Sequence, residues 1–432
     1  MGKHRSKNRR DLVALPDLEC TLRRVVRQDN RKQRTMILYT GDLKMHFGTI
    51  HGHPAWKQLT AALILYGIAM IAEGGIAQAA LLDGLMNDVE ESLAEHVAKN
   101  NERLITGNFY TQEKPNAHGP IGMMGEHTHE KGEIMFSYRY KHMFMQETRN
   151  GTNTITNAQA RALGPTGAFM AVPTSMRMEM HMFGIMYGVN DTLTVTVMAP
   201  YIRNSMDHEA GTPLGKVKFT TRSEGIGDIR LGSLWRLWAV EAPSIGAHRF
   251  HFNFAVSFPS GDIEPTDFTP AGGSNTRLPY PMHLGSGTID FFPGITYGGE
   301  MGRGSWGFQT IATIRAGTNG NGFSKGDAYS ATVFGAYEII PTWLSGSVRF
   351  DYNRWQDYDG ADPAIATIVQ TAIPSRLGGE RLDLLVGLNL LFPEFMGIEN
   401  RLAIEGGMPI YQWLQGQLET DSIVTFGWQG IY

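Results

Sequence analysis

Sulfur and imidazole are the most concentrated chemistry in this chain. His118, Met123, Met124, His127 and His129 fall in one stretch interleaved with Gly119, Gly122, Gly125 and Gly132. Thioether and imidazole together suit Cu(I), and imidazole alone suits zinc or nickel. The stretch is therefore a candidate copper-type metal site, the one cofactor for which the sequence offers a donor set. Its alternative is a structural role at the rim of the fold. Of the 18 methionines after residue 79, 13 lie between 123 and 206. Met176, Met178, Met180 and Met182 share one face of a period-two run, with Arg177, Glu179 and His181 on the other. Alternating methionines read as lipid-facing apolar surface, which turns Arg177 and Glu179 inward.

Charge of both signs recurs on one face of many such runs. Arg139, Arg177, Glu179, Asp228, Arg230, Arg236, Arg249, His251, Asp290, Arg349, Asp351, Arg381 and Asp383 are the candidates for a lumen lining, and Arg401 and Glu405 share their phase. They would either fill a narrow lumen with ion pairs or select solutes by charge. Arg230, Arg236, Arg249 and His251 fall on two neighbouring runs joined by a short turn. Like charges at such range repel, so this basic wall needs acidic partners or an anionic or polarisable aromatic solute. Full neutralisation by Asp228 and Asp290, with a blocked lumen, is the alternative.

Enzymatic readings find no support. The chain has no Gly-x-Ser-x-Gly elbow, no Walker loop and no His-Glu-x-x-His. Gly225-Ile-Gly-Asp228 precedes a strand rather than a helix, so it is not a dinucleotide fingerprint. The single Cys among 432 residues excludes a disulfide scaffold. Residues 1–79 carry a net charge of +7 and the remainder −11. An acidic chain without a basic stripe is not a nucleic-acid binder.

What must position these groups is a set of strands. In His248–Phe258, Phe250, Phe252, Phe254, Val256 and Phe258 alternate with Arg249, His251, Asn253 and Ser257. Successive side chains of a strand point to opposite faces, so one face is apolar and the other polar. About twelve such runs follow, near 133–147, 174–189, 191–205, 225–240, 248–259, 284–298, 304–317, 326–340, 342–355, 380–392, 399–412 and 421–431. Most exceed the usual five or six residues of a globular strand. The connections alternate between short and long, as in outer-membrane barrels with short periplasmic turns and long external loops. Hydrocarbon cannot hydrogen-bond a sheet edge, so the sheet must close. The expected fold is all-β, an antiparallel transmembrane β-barrel of about twelve strands spanning 133–432 in a lipid bilayer.

Ahead of it, an apolar run over Leu59–Ala72 and the small residues Ala77-Gln78-Ala79 read as a signal peptide cleaved after Ala79. Residues 1–79 form a basic extension plus this signal, and Met45 is the expected translation start. Residues 80–132 are expected to hold a short amphipathic helix over 81–104 and the Gly/His/Met-rich segment on the periplasmic side. The chain ends with Val424, Phe426, Trp428, Gly430 and Tyr432 on one face. This resembles the carboxy-terminal signal read by the barrel-assembly machinery, and the expected location is the bacterial outer membrane.

Three stretches carry a wider resemblance: Gly122–Tyr140, Pro173–Gly184 and Thr221–Asp228. Together they resemble a bacterial family of outer-membrane transporters related to the phenol-degradation meta-pathway β-barrel superfamily. The resemblance covers roughly 115–432 and implies a porin-like channel for small organic solutes. It transfers no catalytic or binding residue. A metal-handling barrel and a purely structural barrel are the alternatives.

Overall fold

The computed structural model describes residues 114–432, apart from 165–166, 213–214, 243–244 and 396–397, together with three short strands nearer the amino terminus. Met1–Thr106 and Gly107–Tyr432 are separate compact units. In the first, Val25–Gln28, Arg34–Thr40 and Leu43–His46 form a small antiparallel sheet, within an extension whose sequence shows no strand pattern. The signal peptide, its cleavage site and the helix expected over 81–104 lie outside the described residues.

The second unit is a closed antiparallel barrel. Its strands are β1 (Ile134–Gly151), β2 (Ala171–Asn190), β3 (Leu193–Thr212), β4 (Ile229–Ala242), β5 (Gly246–Phe258) and β6 (Ile289–Met301). They continue with β7 (Gly304–Ala316), β8 (Ala328–Ile340), β9 (Leu344–Trp355), β10 (Gly379–Phe395) and β11 (Ile398–Ile431). Each pairs with the next, and β11 returns to β1, so the ring has no free edge. Closure is completed where Ile134 and Tyr432 exchange backbone hydrogen bonds of 2.9 Å.

β11 crosses the wall twice. Leu414 pairs both with Gly379 of β10 and with Gly151 of β1, at one end of the barrel, while Ile398 and Ile431 sit at the other, beside Phe395 and Met135. Gly416, at φ +84°, lies at this reversal, in backbone geometry open to glycine. Eleven strands thus make twelve crossings, the even number the sequence predicts. Two further strands, Asn153–Ile155 and Gly215–Ile226, add to β1 and β3 outside the ring.

Among the described residues, the strand ends joined by short connections lie at one end: Asn190 and Leu193, Ala242 and Gly246, Met301 and Gly304, and Ile340 and Leu344. At 190–193 the Asn190 side chain accepts from the backbone N–H groups of Thr192 and Leu193, both at 2.9 Å, which pins the turn. The long loops share the other end. The outer face carries exposed Phe183, Ile185, Val195, Leu237, Val333, Val348, Phe350, Val386 and Phe426, while Asn253, Asp290, Gln309, Thr332, Asp383 and Gln429 are buried on the inner one. This inverts the order of a soluble barrel and is the arrangement hydrocarbon demands. β2 and β3 have 20 residues each. At ~3.3 Å per residue and a ~45° tilt they rise about 45 Å, beyond a ~30 Å hydrocarbon core.

Candidate functional site

The segment 114–133 is a plug inside the short-turn end of the barrel. Asn116, Ala117, His118, Ile121, Met123, Glu126, His127 and His129 are all buried. The wall holds the plug chiefly by its backbone carbonyls, a contact that does not depend on the plug's side chains. Ser345 Oγ donates to Pro115 O at 2.9 Å, Ser305 Oγ to Asn116 O at 2.6 Å, and Arg249 to Ala117 O at 3.0 Å. Arg401 donates to Gly119 O at 2.5 Å and Gln309 Nε2 to Met124 O at 3.0 Å. His251 Nε2 lies 2.9 Å from Gly125 O, and the backbone N–H of His129 donates to Thr194 Oγ1 at 2.8 Å. Gly122 passes so close to the Arg349–Glu405 ion pair that a Cβ there would collide with both partners.

Within the plug, His118, Glu126 and His127 converge. Glu126 Oε1 is 3.2 Å from His127 Nδ1 and 3.3 Å from Arg401 Nη1. The His118 and His127 rings lie 5.4 Å apart edge to face, and His127 and His129 4.7 Å apart. Burial drives His127 down to about 4, against the opposing pull of its Glu126 hydrogen bond. Burial, then the Arg401 charge, holds His118 well below its ordinary value. Burial alone would raise Glu126, but the His127 hydrogen bond and the charges of His127 and Arg401 outweigh it, and the carboxyl sits well below the usual range. The plug thus carries neutral imidazoles beside an ionised carboxylate.

Beyond the plug is a chamber of about 230 Å³. Met124, Met143, Met178, Met180 and Met182 line it beside Arg139, Lys141, Arg349, Asp351 and Asp383. Of these charges, Arg349 pairs with Glu405 at 2.5 Å and with Asp351 at 3.3 Å, and Asp383 pairs with Arg381 at 2.8 Å. Farther up, Met176, Met206, Leu278, Met282 and Leu418 pack as one buried cluster, against which Met145 and Met178 also rest. Above it the external loops close over the barrel. Ala171, Tyr280, Phe323, Ile365, Val369, Ala372 and Leu377 form their apolar core. Tyr280 packs edge-on against Phe323 at 5.0 Å and its hydroxyl accepts from Asp362 N at 3.0 Å. A second cavity, about 130 Å³, opens in this lid between Met170, His208, Phe219, Leu278, Pro279 and Ile368.

These positions revise the sequence reading at three points. The methionine face of β2 turns inward: Met176, Met182 and Met186 are buried, while Phe183, Ile185 and Tyr187 face out. Arg177 and Glu179 consequently lie on the outer face and do not line the lumen. Arg177 is exposed, and Glu179 accepts from Tyr140 Oη at 3.1 Å and faces Arg203 at 3.7 Å. Arg177 and Glu179 lie toward the long-loop end of β2, away from the outward apolar band of Phe183, Ile185 and Tyr187. Second, the basic wall is not an open lining. Arg249 and His251 hold the plug, and Arg230 lies 3.6 Å over the Phe292 ring. Arg236 sits at the short-turn end, where its N–H donates to Thr192 O at 2.7 Å. Asp290 ion-pairs with Arg315, and Asp228 ties the external loops by accepting from Gly261 N at 3.0 Å and Ser286 N at 2.7 Å. Third, the convergent donor set is His118, Glu126 and His127 rather than the five His and Met residues together. Met124 lines the chamber instead. Glu126 lies between Gly125 and His127 in the very stretch that the sequence marks, and only its fold-back exposes its role.

No family model matches the chain, and no curated protein matches its sequence. Among solved structures, an outer-membrane channel from Pseudomonas putida F1 aligns with a TM-score of 0.47 at 11% identity, over 72% of this chain and 99% of that one. A FadL homologue of Pseudomonas aeruginosa aligns at 0.32 and 10% identity, over 70% and 90%. The toluene transporter TodX of Pseudomonas putida aligns at 0.30 and 9% identity, over 70% and 90%. What this lumen does is set by its own plug, chamber and lid.

Proposed function

We propose that the protein is a channel of the bacterial outer membrane that admits a small uncharged solute, hydrophobic or aromatic, and that segment 114–133 is its gate. One observation carries this reading: the apolar surfaces are continuous. Leu278 lines the lid cavity and belongs to the buried methionine cluster, and Met178 belongs to that cluster's margin and lines the chamber. A solute leaving the lid therefore meets thioether and aliphatic surface down to the plug. Methionine is unbranched and polarisable, so it deforms around varied shapes and makes favourable contacts with aromatic rings. The lid cavity is near the ~150 Å³ of an engineered cavity that takes benzene. Arg349, Asp351 and Asp383 are tied up in ion pairs, and most of the remaining chamber lining is thioether and aliphatic.

The motif resemblance to the outer-membrane transporter family supports the same reading. So does the carboxy-terminal strand, whose alternating Val424, Phe426 and Trp428 would be the face offered to the assembly machinery. The test is uptake into vesicles with a lipopolysaccharide outer leaflet. Radiolabelled toluene should enter faster with the barrel than without it, benzoate should not, and Met180→Asp or Leu278→Asp should remove the gain. Equal acceleration of both solutes, or of neither, would overturn the proposal.

A further inference from the structure

The plug buries more chemistry than keeping a channel shut requires. His118, Glu126 and His127 each offer one donor atom, and these atoms lie within 4.8 Å of one another. We propose that they bind a divalent transition-metal ion of the zinc type, which staples the two ends of the 118–127 loop together. Two imidazoles and one carboxylate are a zinc donor set, and such sites place each donor ~2.0–2.2 Å from the ion. Two donors at that distance and tetrahedral angle are about 3.4 Å apart. Glu126 Oε1 and His127 Nδ1 are 3.2 Å apart, so their hydrogen-bond spacing is also a ligand spacing. Gly125, at φ +63°, is the bend that leads into Glu126 and His127.

His129 supplies an independent observation. Its Nδ1 lies 3.3 Å from Glu133 Oε2, while its Nε2 is buried with no hydrogen-bond partner, on a ring 4.7 Å from that of His127. A carboxylate behind one ring nitrogen is how ligating histidines are oriented, and this imidazole stands beside the three donors without belonging to the group that converges within 4.8 Å. Arg401 opposes a cation electrostatically. It has other acceptors, donating to Gln429 Oε1 and Asn389 Oδ1, both at 2.6 Å, and can yield Glu126 to an ion without losing its own partners. The absence of a thioether from the set favours zinc over Cu(I).

The experiment uses the full chain, refolded in detergent, stripped with chelator and dialysed against Zn²⁺. One ion per barrel should be retained. His118→Ala and His127→Ala should each weaken binding by about a hundredfold or more, since even loss of a supporting contact costs ~10–100-fold. His181→Ala, on the outer face, should bind as the parent does, and heat-modifiable migration verifies the fold of every variant. Retention of no ion by the parent, or unchanged retention by folded His118→Ala, would overturn the site. Should the histidine variants fail to fold, X-ray absorption of the zinc-loaded parent decides. Imidazole and oxygen scattering is expected, and a sulfur shell or a hexa-aqua ion would overturn it.

Discussion

Arg401 on β11 reaches Glu126 on the plug at 3.3 Å, with both side chains only 3% exposed. This is the single buried ion pair between plug and wall among the described residues within 4 Å. Removing one partner of a buried pair strands the other without water or countercharge. Arg401→Met should therefore cost about 3–5 kcal/mol of plug docking. Urea titration followed by protease cleavage within 114–133 measures it. Cleavage at the parental urea concentration would show that the pair does not hold the plug.

Gly122 tests the close approach to Arg349 and Glu405. A Cβ at 122 has no room between them. Gly122→Val should push the plug off the wall and raise open-channel frequency in planar bilayers while leaving the barrel heat-modifiable. Gly132, where a Cβ would meet nothing within 4 Å, is the space-filling control, although its φ of +92° makes Gly132→Asn the suitable change.

The plug should loosen in acid. Glu126 is held below the ordinary carboxylate range, so its contribution is full above about 4.5 and is lost as pH falls through its folded value. His127 is held down to about 4 from 6.5, so the undocked segment takes up protons first as pH falls through that window. Both effects have the same sign. In the chelator-stripped, metal-free barrel, single-channel openings should grow more frequent between neutral pH and about pH 5, and His127→Gln should flatten the change. Openings that become more frequent as pH rises would contradict this.

The basic wall predicts a conditional selectivity. With the plug in place, Arg249→Gln, whose amide still offers a donor to Ala117 O, should leave the reversal potential unchanged. In a chain lacking 115–130, Arg249 loses Ala117 O and faces the lumen, and the same substitution should shift selectivity toward cations. A shift of equal size in both backgrounds would mean that the wall already lines an open path.

Most of the barrel was legible in the sequence because a wall between lipid and lumen imposes period two on every crossing. His248–Phe258 and Arg381–Phe392 show it plainly, and the observed faces of both agree. β2 differs from its sequence reading because hydropathy alone makes methionine a lipid-facing residue. The correcting signal lay in the same strand: Phe183, Ile185, Tyr187 and Val189 are in phase with Arg177 and Glu179, so unbroken alternation puts the methionines inside. The plug was not legible. Its contacts run through backbone carbonyls of 115–125 to Ser305, Ser345, Arg249 and Arg401, and such contacts leave no side-chain pattern behind. Glu126 is not marked by sequence spacing, because it is separated from His118 in sequence and meets it only after the chain reverses.

If residues 114–133 close the lumen, ion conductance reads it without intermediary. The full chain and a version lacking 115–130, each verified as heat-modifiable, would be inserted into planar bilayers under identical salt. A mostly closed parent with rare openings and a deletion that conducts steadily are expected. Equal, steady conductance from both would contradict it.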